Sequence, residues 1–484
     1  AAGALGLGTA VVVAALQRLQ SAGRVRSGQF RPGGSGTEWV DARVLRLLRR
    51  RSLAVLRQEV EPVDPARLGQ FLPEWQAVGA RRGGADAVLA AVEQLQGALV
   101  PASVLERQLL PSRVRDYQPA MLDALTSAGE VLWSARGSLP ARDGWVGVYL
   151  AADAPLLLPA PDDGAVTSAL HEQILATLDD GSARFLSDLA ERVEETEPPA
   201  GETLAAALWD LVWSGHLTND TLGPVRALVS GAPRRAGRYH RPGRRGAPRR
   251  PGADPSLAGR WWRLPPPEPD PTRRDHALAD TLLQRHGVLT RGAVQAERVP
   301  GGFATVYRVL TAMEDVGRAR RGYFVEGLGA AQFAAEGAVD RLRLPVDPGP
   351  PSAVVLAATD PANPYGAALR WPDRPDGAGN HRPGRKAGAV VVLVDGRLVL
   401  YVERGGRSLL SWTAVPADAP AAGHSQTDTL TCAADALAAA VRDGWLGRVT
   451  VQRADGAPAL DSPLGAVLEQ AGFRATPRGL RLRA

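Results

Sequence analysis

The sequence predicts an α+β protein: a series of helix–helix–strand units followed by a strand-rich module. Three observations carry this. The first is the stretch Val288–Val325. Thr290 stands as an N-cap before a short helix running to about Arg298, and Pro300-Gly301-Gly302 then breaks the chain. Phe303, Val306, Val309, Leu310 and Met313 recur at helical spacing, and Gly317 follows as the left-handed stop. Arg318-Ala319-Arg320-Arg321-Gly322 is a basic tip before the strand-like Tyr323-Phe324-Val325. The second observation is that this ending recurs in Leu16–Val25, Met121–Val131 and Leu208–Leu217, with Gly23, Gly129 and Gly215 at the same place. The third is a change of pattern after Phe333, where apolar runs of strand length flank an Asp395-Gly396 hairpin signal. Helix, helix, glycine stop and basic-tipped strand together describe a winged helix. The expected architecture is therefore tandem winged-helix domains followed by a β-barrel-like module with two helices.

Taken in order, residues 1–80 read as an incomplete winged helix plus an Arg-rich helical segment. A helix to Ala22 precedes strands near Val25–Phe30 and Glu38–Val40, and residue 1 is read as a cut inside a larger protein. In the helix Asp41–Glu61, Arg43, Arg46, Arg50 and Arg57 fall within about 60° of one another. That stripe either follows a phosphate backbone or is a solvated face. Residues 81–160 form a second unit, with helices Asp86–Leu95, Ala102–Leu109 and Gln118–Ala128 before strands near Glu130–Ser134 and Trp145–Leu150. Residues 161–230 form a third, whose last helix carries Trp209 and Trp213 four apart, a core spacing.

Residues 231–272 read as a linker. Within it, 234–250 holds eight Arg in seventeen residues and no acid. With Arg244 and Arg245 at its centre, it is either a flexible arm toward nucleic acid or a solubilising insertion. Residues 273–336 are the unit described first. The module spans 337–484, with strands at Leu342–Leu344, Ala353–Leu356, Ala389–Val394, Arg397–Val402 and Arg448–Arg453, and helices at Thr427–Arg442 and Pro463–Ala471.

Composition narrows the chemistry. Of 57 basic residues only Lys386 is a lysine, and the net charge is +6. A phosphate-binding loop would need that lysine in another context, so this chain has no ATPase motif. The lone Cys432 and seven scattered His exclude a disulfide framework and give no metal site. The opening apolar run is too short to span a membrane and lacks the basic start of a signal peptide. The second helix of the Val288–Val325 unit has Arg308 as its only cation. Contacts to DNA are therefore expected mainly from Arg318, Arg320 and Arg321, from the Arg43–Arg57 stripe and from the 234–250 arm.

Arg49–Val63 with Phe71–Gln76, Arg320–Phe333 and Asp360–Pro372 resemble the carboxyl-terminal region of the large helicase-related (Lhr) superfamily 2 DNA helicases. The resemblance implies an ATP-dependent 3′-to-5′ repair helicase in the bacterial cytoplasm, associated with the nucleoid. Its motor domains, with their ATP and magnesium, would lie outside this chain, which needs no cofactor of its own. It also implies DNA as partner, single-stranded or as tailed duplex, and a homo-oligomer. The same arrangement is similar to the AlkZ-type DNA glycosylases, whose Gln–apolar–Gln motif is matched by Gln94-Leu95-Gln96; two glutamines near a helix end are otherwise plain polar surface. Glycosylase chemistry also needs a group that holds the attacking water. Asp360, Asn363 and Tyr365, in a Gly/Pro-bounded loop, and Glu403 after the hairpin are further candidates. Three functions stay open: a DNA-binding and assembly region of a helicase, a glycosylase module, and an oligomerisation scaffold.

Overall fold

In the computed structural model the described residues are 2–31, 36–48, 61–80, 82–193, 203–231, 254–345, 349–373, 381–412 and 424–483. The four glycine junctions share one geometry. Helices Thr9–Ser21, Pro119–Ser127, Leu204–Trp213 and Gly302–Asp315 each end at a glycine with φ between 70° and 83° (Gly23, Gly129, Gly215, Gly317). In each, the residue after the glycine donates its N–H to the carbonyl five positions back: Arg24 to Leu19, Glu130 to Leu125, His216 to Leu211 and Arg318 to Met313, all at 2.9–3.0 Å. This is the closure that satisfies the orphan carbonyls of a helix end, and only glycine reaches that φ without strain. A strand follows every time, at Val25, Val131, Leu217 and Arg320.

Each complete unit closes on a three-stranded sheet. In the second unit Asp143–Leu150 lies between Val100–Pro101 and Val131–Leu139; in the fourth Gln332–Ala334 lies between Val288–Leu289 and Arg320–Gly322. The third unit departs from the expected boundaries. Its central strand is Arg260–Arg263, which pairs with Leu217–Asn219 on one side and Arg184–Phe185 on the other. The Arg-rich stretch thus sits in sequence between the two strands of a wing, where a linker was expected. Trp209 and Trp213 stack at 5.4 Å, and Trp209 meets the buried Trp261 edge-on at 5.8 Å. They are core residues.

The boundary at residue 80 also moves. The Val63 N–H donates to the Phe324 carbonyl at 2.8 Å and the Glu326 N–H to Val63 at 3.0 Å. Helix Pro65–Trp75 then buries Leu68, Phe71 and Leu72 in one core with the fourth unit and the module strands. Units two and three share a second core. Arg226 of unit three joins them by an ion pair to Glu106 at 2.9 Å.

The module holds a six-stranded sheet running Ala353–Ala357, Val390–Val394, Arg397–Val402, Ser408–Ser411, Arg453–Ala454, Ala457–Pro458. Its two end strands do not pair with each other, so the expected barrel is not closed among the described residues. Helix Gln426–Arg442 packs on this sheet, and helix Pro463–Gln470 packs on that helix. Asp395 and Gly396 both take positive φ (48° and 78°) and join Val394 directly to Arg397, as a primed hairpin turn requires. Residues 342–344 are not a strand: Leu342 ends the helix Ala338–Leu342, whose buried Val339 and Leu342 join the core.

Candidate functional site

The Gln–Leu–Gln segment ends helix Ala85–Leu95. Leu95 points into the core, which leaves the two glutamines on either side of it at a cleft of about 560 Å³. The cleft also takes Asp153, Leu156 and Leu157 of unit two, Asp280, Gln284 and Arg285 of helix Pro271–His286, and Trp75. It lies where the second and fourth units meet. Gln96 is buried, and its Nε2 donates to Asp153 Oδ2 at 3.1 Å while its Oε1 accepts the Leu150 N–H at 3.4 Å. A side-chain amide thus fixes the orientation of a half-buried carboxylate beside the cleft. Gln94 donates from Nε2 to the Arg285 carbonyl at 3.3 Å.

Arg285 holds the two units together from beneath. Its guanidinium, only 2% exposed, donates to the carbonyls of Gln94 (3.2 Å) and Gln96 and pairs with Glu297 at 2.5 Å. His286 Nε2 sits 2.9 Å from the other Glu297 oxygen. Burial alone would raise the Glu297 carboxyl, but Arg285 and His286 outweigh it and hold it down at about 2. At the rim, Trp75 donates from its indole to the Gln284 carbonyl at 2.6 Å, and the exposed Arg341 lies over its ring at 5.4 Å. Aromatic face, cation, amides and a positioned carboxylate together suit a nucleobase with its attached phosphate.

The other expected catalytic residues are not brought to this cleft. Asp360 is 1% exposed and grips Arg113 with both oxygens, at 2.8 and 3.0 Å. Asn363 donates to the Ala358 carbonyl at 3.0 Å, and the Tyr365 hydroxyl donates to Gly396 while accepting from Leu398, both at 3.1 Å. With polar atoms bonded inside the protein, these three tie down a loop away from the cleft. Glu403 lies on the module surface between Lys386 (2.8 Å) and His381 (3.1 Å). Burial there would raise its pKa, yet the hydrogen bonds from Lys386 and His381, with the Lys386 charge, hold it below the ordinary value.

Of the basic residues, Arg43 and Arg46 are exposed on a helical stretch, 42–48, capped by Asp41, which accepts the Arg43 N–H at 2.7 Å. Arg50, Arg57, Arg244 and Arg245 lie outside the described residues. Arg318 is exposed and pairs with Asp280 of the cleft at 3.4 Å. Arg320 and Arg321 are half-buried, and Arg321 donates to the Tyr307 hydroxyl at 2.6 Å. Sequence reasoning did not single out Asp153, Arg285 or Arg341, since nothing local marks a residue that reaches the cleft only through the packing of distant segments. Among the described residues there is no group of three or more His, Cys, Asp or Glu able to hold a metal, and no helix long and apolar enough to cross a membrane.

Fold and cleft together define a tandem winged-helix protein with a polar cleft between two of its units. Residues 63–151 and 268–353 each match the winged-helix domain of the large helicase-related protein. The chain is 49% identical over 99% of its length to the "Lhr helicase/probable uracil glycosylase" of Mycolicibacterium smegmatis and 38% identical over 98% to the "Lhr helicase/uracil glycosylase" of Escherichia coli. It spans 32% of each of these relatives. It is thus similar over nearly its whole length to the carboxyl-terminal region of the Lhr helicases. A DNA glycosylase, AlkZ of Streptomyces sahachiroi, overlays on 81% of the chain at a TM-score of 0.45 and 14% identity, with all of AlkZ covered, a likeness too loose to transfer any residue.

Proposed function

We propose that this chain is the DNA-binding region of a repair helicase and that its inter-unit cleft releases a base, uracil in the first instance, from single-stranded DNA. The observation that carries the reading is the Gln96–Asp153 pair beside a cleft bordered by Trp75 and Arg341. A base extruded from its strand stacks on the indole, and Gln94 offers the donor and acceptor that a uracil edge requires. Asp153, held by Gln96, accepts a proton from the water that attacks the sugar C1′ as the N-glycosidic bond breaks. The base leaves with the bonding electron pair. The helicase motor and its nucleotide belong to the part of such a protein outside this chain, acting on chromosomal DNA in the bacterial cytoplasm.

The test is a labelled oligonucleotide carrying one deoxyuridine, incubated with the chain as single strand and as duplex, then cleaved at abasic sites with alkali. Abasic product is expected, and Asp153→Asn should lower its rate about 100-fold or more. Full activity in that variant removes Asp153 from the mechanism. A complete absence of abasic product leaves DNA binding alone.

A second reading concerns assembly. Helices Pro119–Ser127 and Leu204–Trp213, at the recognition-helix position of units two and three, contain no basic residue, so these are poor phosphate surfaces and suit contact with protein. We propose self-association of the chain. Light scattering at micromolar concentration should report more than one copy, and a monomer there rejects the proposal.

A further inference from the structure

The strand-rich module carries a charged feature that neither the wings nor the cleft explains. Strand Arg397–Val402 leads into the turn Arg404-Gly405-Gly406-Arg407, where both glycines take positive φ, 74° and 82°. The Gly406 N–H donates to the Glu403 carbonyl at 2.7 Å. A Cβ on Gly406 would stand 2.5 Å from Val449 Cγ1 and 3.0 Å from the Thr450 nitrogen, so glycine is what lets the turn seat against the neighbouring strand. A Cβ on Gly405 would meet nothing within 4 Å. One glycine is required by packing; the other leaves an open approach to the backbone.

Three arginines adjoin that turn, two within it and one beside the strand it packs against. Arg404 lies along Gly388, where a Cβ would come within 2.9 Å of its Cγ, so the stem is supported while the residue stays exposed. Arg407 ends the turn, and its carbonyl accepts the N–H groups of Gln452 and Arg453 at 3.1 and 3.0 Å. Arg448 immediately precedes Val449, against which the turn is seated. Arg404, Arg407 and Arg448 are all exposed, and none has a carboxylate partner among the described residues. Glu403, the acid next to the turn in sequence, already pairs with Lys386 and His381. Exposed guanidinium groups without carboxylate partners, beside a glycine turn whose backbone stands open, suit anions and with them the phosphates of a strand.

The geometry points to a second nucleic-acid contact here: the Arg404–Arg407 turn with Arg448 holds the phosphate backbone of a DNA strand. The inference rests on the reading that the chain binds DNA, and names a surface on the module for it. The strand contacted is chemically the same as at the wings, so the contribution should appear in the salt dependence of binding and not in base preference.

The test uses the full chain with Arg404, Arg407 and Arg448 all changed to Ala, beside a version with all three changed to Lys. Binding of a labelled single strand is followed by fluorescence anisotropy across a salt series. Losing three phosphate contacts should lower the slope of log affinity against log salt by about 2. The Lys version should restore the slope, and abasic-site formation by saturating protein should stay unchanged. An Ala version with the wild-type slope overturns the inference while the DNA-binding reading stands. Wild-type protein with no salt-dependent affinity overturns both. A changed oligomeric state with an unchanged slope would assign the turn to contact between copies and overturn it as a DNA surface.

Discussion

Arg113 and Asp360 lie 247 residues apart in sequence and meet as a two-oxygen ion pair at 2.8 and 3.0 Å, with side chains only 2% and 1% exposed. Arg113 ends the helical run of unit two and Asp360 opens the Asn-Pro-Tyr loop of the module. Gln76, from the segment after helix Pro65–Trp75, accepts a further bond from Arg113 at 2.9 Å. Three separated stretches therefore converge on one guanidinium. The pair need not be worth much against a well-packed apolar substitute, but breaking it leaves a buried charge with no counter-ion. Asp360→Ala should lower the unfolding free energy by about 3–5 kcal/mol, measured by urea denaturation. Base release below its lowered melting temperature should remain. Loss of activity at unchanged stability would return Asp360 to the site.

The Glu297 cluster makes stability depend on acid. Its folded carboxyl is held at about 2 against an ordinary 4.5, so the unfolded chain binds the proton more readily. The stability it contributes is present above pH ~4.5 and is lost as pH falls toward 2, on the order of 3 kcal/mol in all. Glu297→Gln should be less stable at neutral pH and should show a shallower loss of stability between pH 4.5 and 2. A variant with the wild-type acid profile would show that other carboxylates set it.

Gly396 and Gly69 touch across the interface between the hairpin and helix Pro65–Trp75. A Cβ on Gly396 would lie 1.9 Å from the Ala66 carbonyl oxygen, and one on Gly69 2.0 Å from the Gly396 oxygen. Both obstacles are backbone and cannot swing away. Gly396→Ala should cost more than about 2 kcal/mol, combining overpacking with strain at φ 78°. Thermal unfolding measures it, and a change under 1 °C would mean that the helix lifts off the hairpin freely.

Much of this fold is local in origin, and that part was readable. Gly23, Gly129, Gly215 and Gly317 mark their helix ends through φ alone, and Asp395-Gly396 sets its hairpin through two residues. Thr290 caps its helix by accepting the Ala293 N–H at 3.2 Å, a bond spanning three positions. What escaped depends on distant partners. Arg260–Arg263 becomes a wing strand only by pairing with Leu217–Asn219 across 40 residues, among them an Arg-rich run that reads as a linker. The polar loop Asp360–Tyr365 had the composition of a site and proved to be a tie, because Arg113 could not be seen beside it. Gln94 and Gln96 were singled out on resemblance. Gln96 meets Asp153 across 57 residues of its own unit, and the bonds to Arg285 come from packing between units.

Within the cleft, the hydrogen bonds rank the side chains. Gln96 is buried and touches Asp153 directly, so Gln96→Ala frees the carboxylate to rotate and opens space beside it. Gln94 is half-buried and bonds only to a carbonyl, so its amide can turn to a ligand without disturbing Asp153. Gln96→Ala is therefore expected to lower the maximal rate of base release with little change in affinity for the uracil-containing strand. Gln94→Ala should weaken affinity about tenfold, the value of one hydrogen bond of roughly 1.5 kcal/mol to a desolvated ligand, with a smaller effect on the maximal rate. Asp153→Asn keeps shape and removes charge, and its single-turnover rate should lose dependence on carboxylate ionisation. The measurement is single-turnover base release against protein concentration for the three variants. If Gln94→Ala and Gln96→Ala reduced the same parameter equally, the division between ligand contact and carboxylate positioning would be wrong.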